Sequence, residues 1–464
     1  MTKVFNTTID KRRRTVLLGG LVGSAAGLLQ ACGGGGGAGE TSVQSQLGAF
    51  DPSCKSMARP TTPSPIPGNQ VNLSDFGGTP GASASAIKSA FSQAFNRLKS
   101  LGGGTLYIAP GTYDLGYQPA EVVVMGVSDL KNVLISAYDA QLTMTTTAST
   151  GMPVFLHFEN PNNVTVAGMR FYDYGTNLNI NWKGAVCISV NTTVACSGFK
   201  TVDCYAESVG TFWRSMPNNH YTLTNCDING TIKTAYYGIN CNYNGRYSKC
   251  NISCENVRRA FIAYGTQNWD IVINGRADGR ALGSNAYVSL APTEAQPVRD
   301  VTVILKLEGN LSQYGGFVHV YHQGSNGVSQ YARNVKAHAV LNNVTGTAGA
   351  IFLFDHEPPG GVVLTSTIRT FEQIMLTGEV IGSYSGPLIR NPSRSTGSTN
   401  SISVANNLAD LQNRSSLPMS SLPEYFSVSA NLQPPAAPAP EPTPQPAPAP
   451  GGTGVGTPAP TASC

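Results

Sequence analysis

Between about residue 70 and residue 430, apolar side chains recur in two rhythms. Ile87, Ala90, Phe91, Ala94, Phe95 and Leu98 follow the i, i+3, i+4 spacing of one buried helical stripe. Ser83 or Ser85 can cap the start of this helix, and Gly102 to Gly104 end it. A strand precedes it and another follows. Beyond that point the pattern changes to short strands with period-two alternation, as strands with one buried face require. One set aligns on the apolar residues Leu156, Ile188, Phe212, Ile239, Ile262, Val288, Val318 and Ile351, at intervals of 23 to 33 residues. A second set contains NNVTV (162–166), TVDCYA (201–206), LTNCDI (223–228), YSKCNI (247–252), NWDIVI, RDVTVI, ARNVKAHAV and EQIMLT.

Recurrence at a near-constant interval predicts a solenoid in which each interval is one coil stacked on the last. At 464 residues the chain exceeds the usual single domain, but repeat folds grow by stacking. The open end of such a stack exposes unpaired strand edges, and the amphipathic helix is expected to be its lid. Only 12% of residues are charged and 51 are glycine, which suits many strands and tight turns. The order N-x-x-D-F-G (Asn72 to Gly77), helix, GGGTLYIAPGTY (Gly102 to Tyr113) resembles the N-terminal cap of the pectate-lyase-like superfamily. That superfamily includes polygalacturonases, polysaccharide lyases, uronate epimerases and phage tailspikes. The resemblance implies an all-β, right-handed parallel β-helix. It implies no particular reaction, because fold does not imply function.

The two ends read as addresses and linkers. KRRRT followed by VLLGGLVGSAAGLL is expected to be a signal peptide (1–31); Arg13-Arg14-Thr-Val-Leu resembles a twin-arginine export signal. Leu29-Gln30-Ala31-Cys32 resembles a lipobox, which makes Cys32 the expected lipidation site. A flexible tether (32–69) then leads to the β-helix domain (70–430). From Gln433 onward 11 of the 30 prolines crowd into a Pro/Ala-rich tail (431–464) that cannot bury a core. The expected location is extracytoplasmic, with the protein anchored by lipid to the outer membrane or cell surface and touching the membrane through that anchor only.

The formal charge of +4 comes from the first 31 residues, leaving 25 basic and 25 acidic residues in the remainder. Without a run of Lys or Arg after Arg14, nucleic acid is not an expected partner. Cys204, Cys226 and Cys250 fall at matching places in consecutive coils of the sequence alignment, which predicts a stacked inward ladder. A ladder of small apolar core residues is favoured over a metal site or disulfides. Zinc-like spacing and an Asp-rich calcium loop are both missing, so no metal or cofactor is expected.

If the first lane points inward, the residues just after it form an outward strip: His157, Ser189, Trp213, Asn240, Ala263, Ser289, His319 and Phe352. Two positions further lie Glu159, Asn191, Ser215, Asn242, Gly265, Ala291, Tyr321 and Phe354. Aromatics interleaved with polar side chains suit sugar rings, which stack and hydrogen-bond. His157, Trp213, Asn240, Asn242, Phe352 and Phe354 are therefore the expected polysaccharide contacts. For proton abstraction beside a uronate carboxylate, His319 and Tyr321 are candidate bases and Arg258 and Arg259 candidate carboxylate clamps. Glu207, Asp227 and Glu308 are candidate carboxylates for hydrolysis.

The polygalacturonase motifs Asn-Thr-Asp, Asp-Asp, Gly-His-Gly and Arg-Ile-Lys are missing, as is the Arg-x-Pro-x-x-Arg of pectate lyases. Three readings stay open: a lyase or related enzyme on acidic glycan, a glycoside hydrolase without the polygalacturonase motifs, and a non-catalytic glycan-binding or scaffold lipoprotein. Oligomeric state is left open as well.

Overall fold

A computed structural model of the chain describes residues 61–118, 122–146, 152–175, 184–217, 223–242, 245–279, 286–292, 296–311, 316–323, 332–345, 350–357, 371–382, 384, 389–390 and 402–404. The chain divides into Met1–Ala49 and Phe50–Cys464, and every described residue belongs to the second unit. The signal segment 1–31, Cys32, nearly all of the tether and the tail 431–464 lie outside the described residues.

The cap forms as the sequence pattern predicts. Helix α1 (Ala84–Ser100) buries Ile87, Ala90, Phe91, Ala94, Phe95 and Leu98, and the Ser83 side chain accepts the Ala86 N–H. Its C-terminus closes through Gly102 N–H to Lys99 O and Gly103 N–H to Leu98 O, with Gly102 at φ 75°. Gly103 (φ 130°) then passes so close to the next coil that a Cβ would lie 2.4 Å from Asn132 O. Only glycine fits there.

The strands pair in parallel, coil on coil, as a right-handed parallel β-helix. Three ladders make up its faces. Face I runs through Val123–Ser128, Val154–Glu159, Val186–Thr192, the last parts of Phe199–Pro217, Asp227–Asn242 and Gly245–Tyr264, then Val288–Ala291, Gly316–Gln323 and Ala350–Glu357. Face II starts at Gln70–Asn72 and continues through Gly104–Tyr107, Lys131–Ser136 and Asn162–Ala167. Face III starts at Gly111–Gln118, Ala140–Thr146 and Arg170–Asp173. From residue 199 onward single long strands carry faces II and III together; Gly245–Tyr264 passes through all three.

The corner leading into face II repeats a left-handed backbone in every coil. Asn132, Asn163, Gly198, Asn225, Tyr247, Asn268, Asp300 and Asn334 all have positive φ. The amide of Asn163 donates to Asn132 Oδ1 at 2.9 Å, and that of Asn334 to Asp300 Oδ1 at 2.8 Å. Asn and Asp tolerate this conformation and bond locally, which explains their recurrence.

Register corrects the sequence alignment in three coils. The inward column of face I is Met125, Leu156, Ile188, Trp213, Ile239, Phe261, Val288, Val318 and Phe352. Trp213, Phe261 and Phe352 replace Phe212, Ile262 and Ile351. At the corner entering this face two successive residues turn into the core, so Phe212 with Trp213, and Ile351 with Phe352, are all fully buried. Alternation alone cannot rank two adjacent aromatic or aliphatic residues; pairing with the neighbouring coil does.

The cysteine ladder is also corrected. Cys204 pairs with Gly230, Cys250 pairs with Ile228, and Cys226 lies just outside the ladder, bonded through its N–H to Ser248 Oγ. The three occupy different columns: Thr201, Ile228 and Cys250 share one, Cys204, Gly230 and Ile252 share another, and Cys226 precedes both. The seven described cysteines are buried and free. Burial raises the Cys204 thiol to about 12 and that of Cys241 to about 11, so they behave as small apolar core residues.

Outside the core, two columns alternate in charge from coil to coil. One reads Lys200, Asp227, Lys249, Asp270 on face II; the other reads Glu207, Lys233, Glu255, Arg276, Glu308 on face III. Lys249 Nζ lies 3.0 Å from Asp227, and Arg276 Nε lies 3.6 Å from Glu308.

Candidate functional site

With register fixed, the outward column of face I becomes Gly126, His157, Ser189, Arg214, Asn240, Ile262, Ser289 and His319. One rung follows another at the roughly 4.8 Å spacing of hydrogen-bonded strands. Of the residues expected in this strip, His157, Ser189, Asn240, Ser289 and His319 occupy it. Trp213 and Phe352 do not: both point into the core, with no exposed surface. Arg214 takes the rung that had been given to Trp213, and the sequence reading missed it because it placed the pleat one residue early.

The strip is not an ordinary surface. Ser189, Ser289 and His319 are almost completely buried, and Arg214 is only 8% exposed. Arg214 Nε donates to Ser189 Oγ at 3.1 Å, and its Nη1 lies 3.8 Å from Met152 Sδ. Meanwhile Nδ1 of His157, Oδ1 of Asn240 and Oγ of Ser289 are inaccessible and make no hydrogen bond. Buried polar atoms are nearly always satisfied, and these three share one column, although Nε1 of the core residues Trp213 and Trp269 is unsatisfied as well. At the capped end the strip opens into a cavity of about 310 Å³ lined by Lys99 of α1, Ser128 and His157.

A second outward position adds cations and phenols. Tyr237 and Arg259 face each other in register on neighbouring coils, two residues ahead of the inward column at Ile239 and Phe261. Tyr236 stacks edge-on against Tyr237, ring centroids 4.6 Å apart, and the Arg258 guanidinium lies 4.4 Å from the Tyr236 ring centre. Burial and the neighbouring Tyr236 push the Tyr237 phenol up to about 12, so it keeps its proton at neutral pH. Burial first, and then the charge of Arg259, lower His319 to about 3. His157 is lowered by burial and then by Arg214. Both imidazoles are neutral at pH 7.

The structure thus places Arg259 between His319, whose imidazole feels its charge, and Tyr237, which the sequence reading did not single out, with Arg258 over the Tyr236 ring. Glu207 is elsewhere: it sits on face III, where Tyr205 donates to its Oε2 at 2.7 Å. Backbone pairing puts Tyr321 opposite Asp355, Asn242 opposite Tyr264 and Phe354 opposite Val320; the side chains of Tyr321, Asn242 and Phe354 lie outside the described residues. Glu159, which accepts from Ser128 Oγ at 3.0 Å, is the only carboxylate among the described side chains of face I. Among the described residues no cluster of His, Cys, Asp and Glu is arranged to hold a metal ion.

No protein-family model matches the sequence, and no curated protein sequence matches it either. Solved structures do resemble it. The A-module of the mannuronan C-5 epimerase AlgE6 from Azotobacter vinelandii is 15% identical over 72% of this chain and 93% of its own, with a TM-score of 0.45. The tailspike of E. coli bacteriophage HK620, solved with a pentasaccharide, is 14% identical over 72% of this chain and 62% of its own, with a TM-score of 0.44. The catalytic domain of a GH87 α-1,3-glucanase, solved with tetrasaccharides, is 12% identical over 80% of this chain and 70% of its own, with a TM-score of 0.44.

Proposed function

We propose that the protein acts on an acidic, uronate-containing polysaccharide laid along face I, as a lyase or related enzyme that removes the proton beside the uronate carboxylate. The observation that carries this reading is the column of orphaned, buried polar atoms at His157, Asn240 and Ser289, interleaved with the cation Arg214 and flanked by Arg259 at the second outward position. A linear glycan offers a hydroxyl or carboxylate at each step along such a column. The charge favours an anion: arginines outnumber the single described carboxylate, Glu159.

Chemical roles follow from protonation state. Arg259, with Arg258, neutralises the substrate carboxylate and so stabilises the enolate-like charge that develops when the adjacent C–H is lost. His319 is unprotonated at pH 7, the form a base requires; burial and the charge of Arg259 lower it to about 3, and a substrate carboxylate bound to Arg259 would offset the second of these and strengthen the base. Tyr237, still protonated, stands three rungs (about 14 Å) from His319 and so donates a hydrogen bond to a neighbouring sugar, while the departing glycosidic oxygen takes its proton from water as the C–O bond breaks. The product of elimination is a C=C bond conjugated with the carboxylate. Hydrolysis needs two carboxylates flanking one bond, and among the described side chains of face I there is one, Glu159, already engaged by Ser128.

The test is incubation with polygalacturonate, alginate and a neutral dextran. Rising ultraviolet absorbance from unsaturated uronate, lost in Arg259→Ala, is the expected result. Reducing ends without absorbance would favour the hydrolase, and binding without either would favour a glycan-binding scaffold. The same reading places the protein outside the cytoplasm, held by an acylated Cys32; Cys32→Ser should move it from the membrane to the soluble fraction, and unchanged partitioning would reject the anchor.

A further inference from the structure

Face III carries a second groove, remote in sequence lane from the strip on face I. It has a volume of about 720 Å³ and lies across six successive coils. One of its columns reads Thr231, Ser253, Asn274, Lys306: two hydroxyls, an amide and an ammonium, one per coil. Val340 and the exposed Ile381 supply apolar surface at the far end.

Charge pairing sets Lys306 apart. In the adjacent column Lys233 pairs with Glu255 and Arg276 with Glu308, at 3.9 and 3.6 Å. Lys306 forms no ion pair among the described residues, although it stands in the same groove. His338, which also lines the groove, is held neutral by burial and then by the Lys306 charge. Glu255 is paired with Lys233 beside the groove and Arg276 with Glu308 within it, which leaves Lys306 as the lining cation without an ion pair among the described residues, at the end of a row of neutral hydrogen-bonding groups.

We propose that this groove is a second, non-catalytic binding site for an acidic polysaccharide, with one carboxylate seated at Lys306 and sugar hydroxyls on Asn274, Ser253 and Thr231. The ligand class rests on the reading of face I; the site itself does not. Two parallel tracks along one solenoid let the protein hold a polymer on face III while face I works on the same or a neighbouring chain.

The experiment is affinity electrophoresis of the full chain through gels containing polygalacturonate, alginate or neutral dextran, in an Arg259→Ala background so that the polymer is not consumed. Retardation by an acidic polymer, weakened about tenfold by Lys306→Glu and restored by Lys306→Arg, is expected. Lys306 is exposed, so unchanged thermal unfolding of the variants should accompany that loss. Lys306→Glu without effect on retardation overturns the proposal, as does equal retardation by dextran. If an acidic polymer retards the wild-type chain but not the Arg259→Ala background, or if only a further Arg214→Ala change releases it, face I is the sole site, the proposal falls and the reading of face I stands. If no acidic polymer retards any form, both fall.

Discussion

Arg214 and Ser189 sit on adjacent rungs of one outward column, and the guanidinium Nε donates to the serine hydroxyl at 3.1 Å while both side chains are nearly buried. An arginine held this way cannot swing away when ligand leaves. Its charge is fixed beside His157, and after burial it is the second reason that imidazole resists protonation.

Replacing Arg214 by alanine should therefore raise the His157 pKa while leaving it below 6.5, because burial, the larger cause, remains. The histidine ring protons followed by NMR across a pH titration report this directly. Stability should also fall by about 1–3 kcal/mol, since the Ser189 hydroxyl loses its partner in a buried place. A His157 titration indifferent to the substitution would break the link between the two residues.

Acid should weaken the fold through its buried histidines. His319 titrates at about 3 and His338 at about 4 in the folded chain, against about 6.5 when unfolded. The unfolded chain then binds more protons between those values, so stability rises with pH there and is flat above about 6.5. Each histidine contributes a slope of up to ~1.4 kcal/mol per pH unit as pH drops below 6.5, ending near its folded pKa. Urea unfolding at a series of pH values should show this decline, and His319→Gln should make it shallower. An equally steep decline in that variant would count against the assignment.

Gly103→Ala should cost far more than Gly102→Ala, although both residues have positive φ. At Gly103 the new methyl would overlap the Asn132 carbonyl, whereas nothing lies within 4 Å at Gly102. Roughly 1 kcal/mol is expected at Gly102, and more than about 2 kcal/mol, or failure to fold, at Gly103. Thermal unfolding of the two variants side by side decides it.

Trp213→Ala tests the corrected pleat. As a buried core residue its loss should destabilise by about 3–5 kcal/mol. Had Trp213 been a sugar platform on the surface, the same change would reduce glycan binding and leave the melting temperature alone. Measuring both quantities on one preparation separates the two placements.

The helix stripe, the cap glycines and the coil interval were legible because each depends on local spacing: the six apolar positions from Ile87 to Leu98 are the six that α1 buries. Most of the face I strip was legible for the same reason. What failed did so where two apolar residues are neighbours, as at Phe212-Trp213, Phe261-Ile262 and Ile351-Phe352. There the choice of which one faces inward is made by hydrogen bonding to the next coil, information that no single strand contains. Arg214 was hidden by that one-residue ambiguity. Tyr237 was hidden differently, because its partner Arg259 comes from the next coil and the pair exists only once the strands are stacked. Glu207 was misplaced because one continuous strand, Phe199–Pro217, carries residues of all three faces.

The alternating charge columns limit how such a molecule can change length. Excising the single coil that holds Lys249 and Glu255 would set Lys233 against Arg276 and Asp227 against Asp270, so that both columns clash at the same seam. Each like-charge contact is worth only some tenths of a kcal/mol, but they would arise together and beside a new core interface. Removing two adjacent coils instead restores the order of signs, with Lys233 meeting Glu308. The solenoid has a parity: it shortens or grows smoothly by even numbers of turns, and an odd change carries an electrostatic fault along its length.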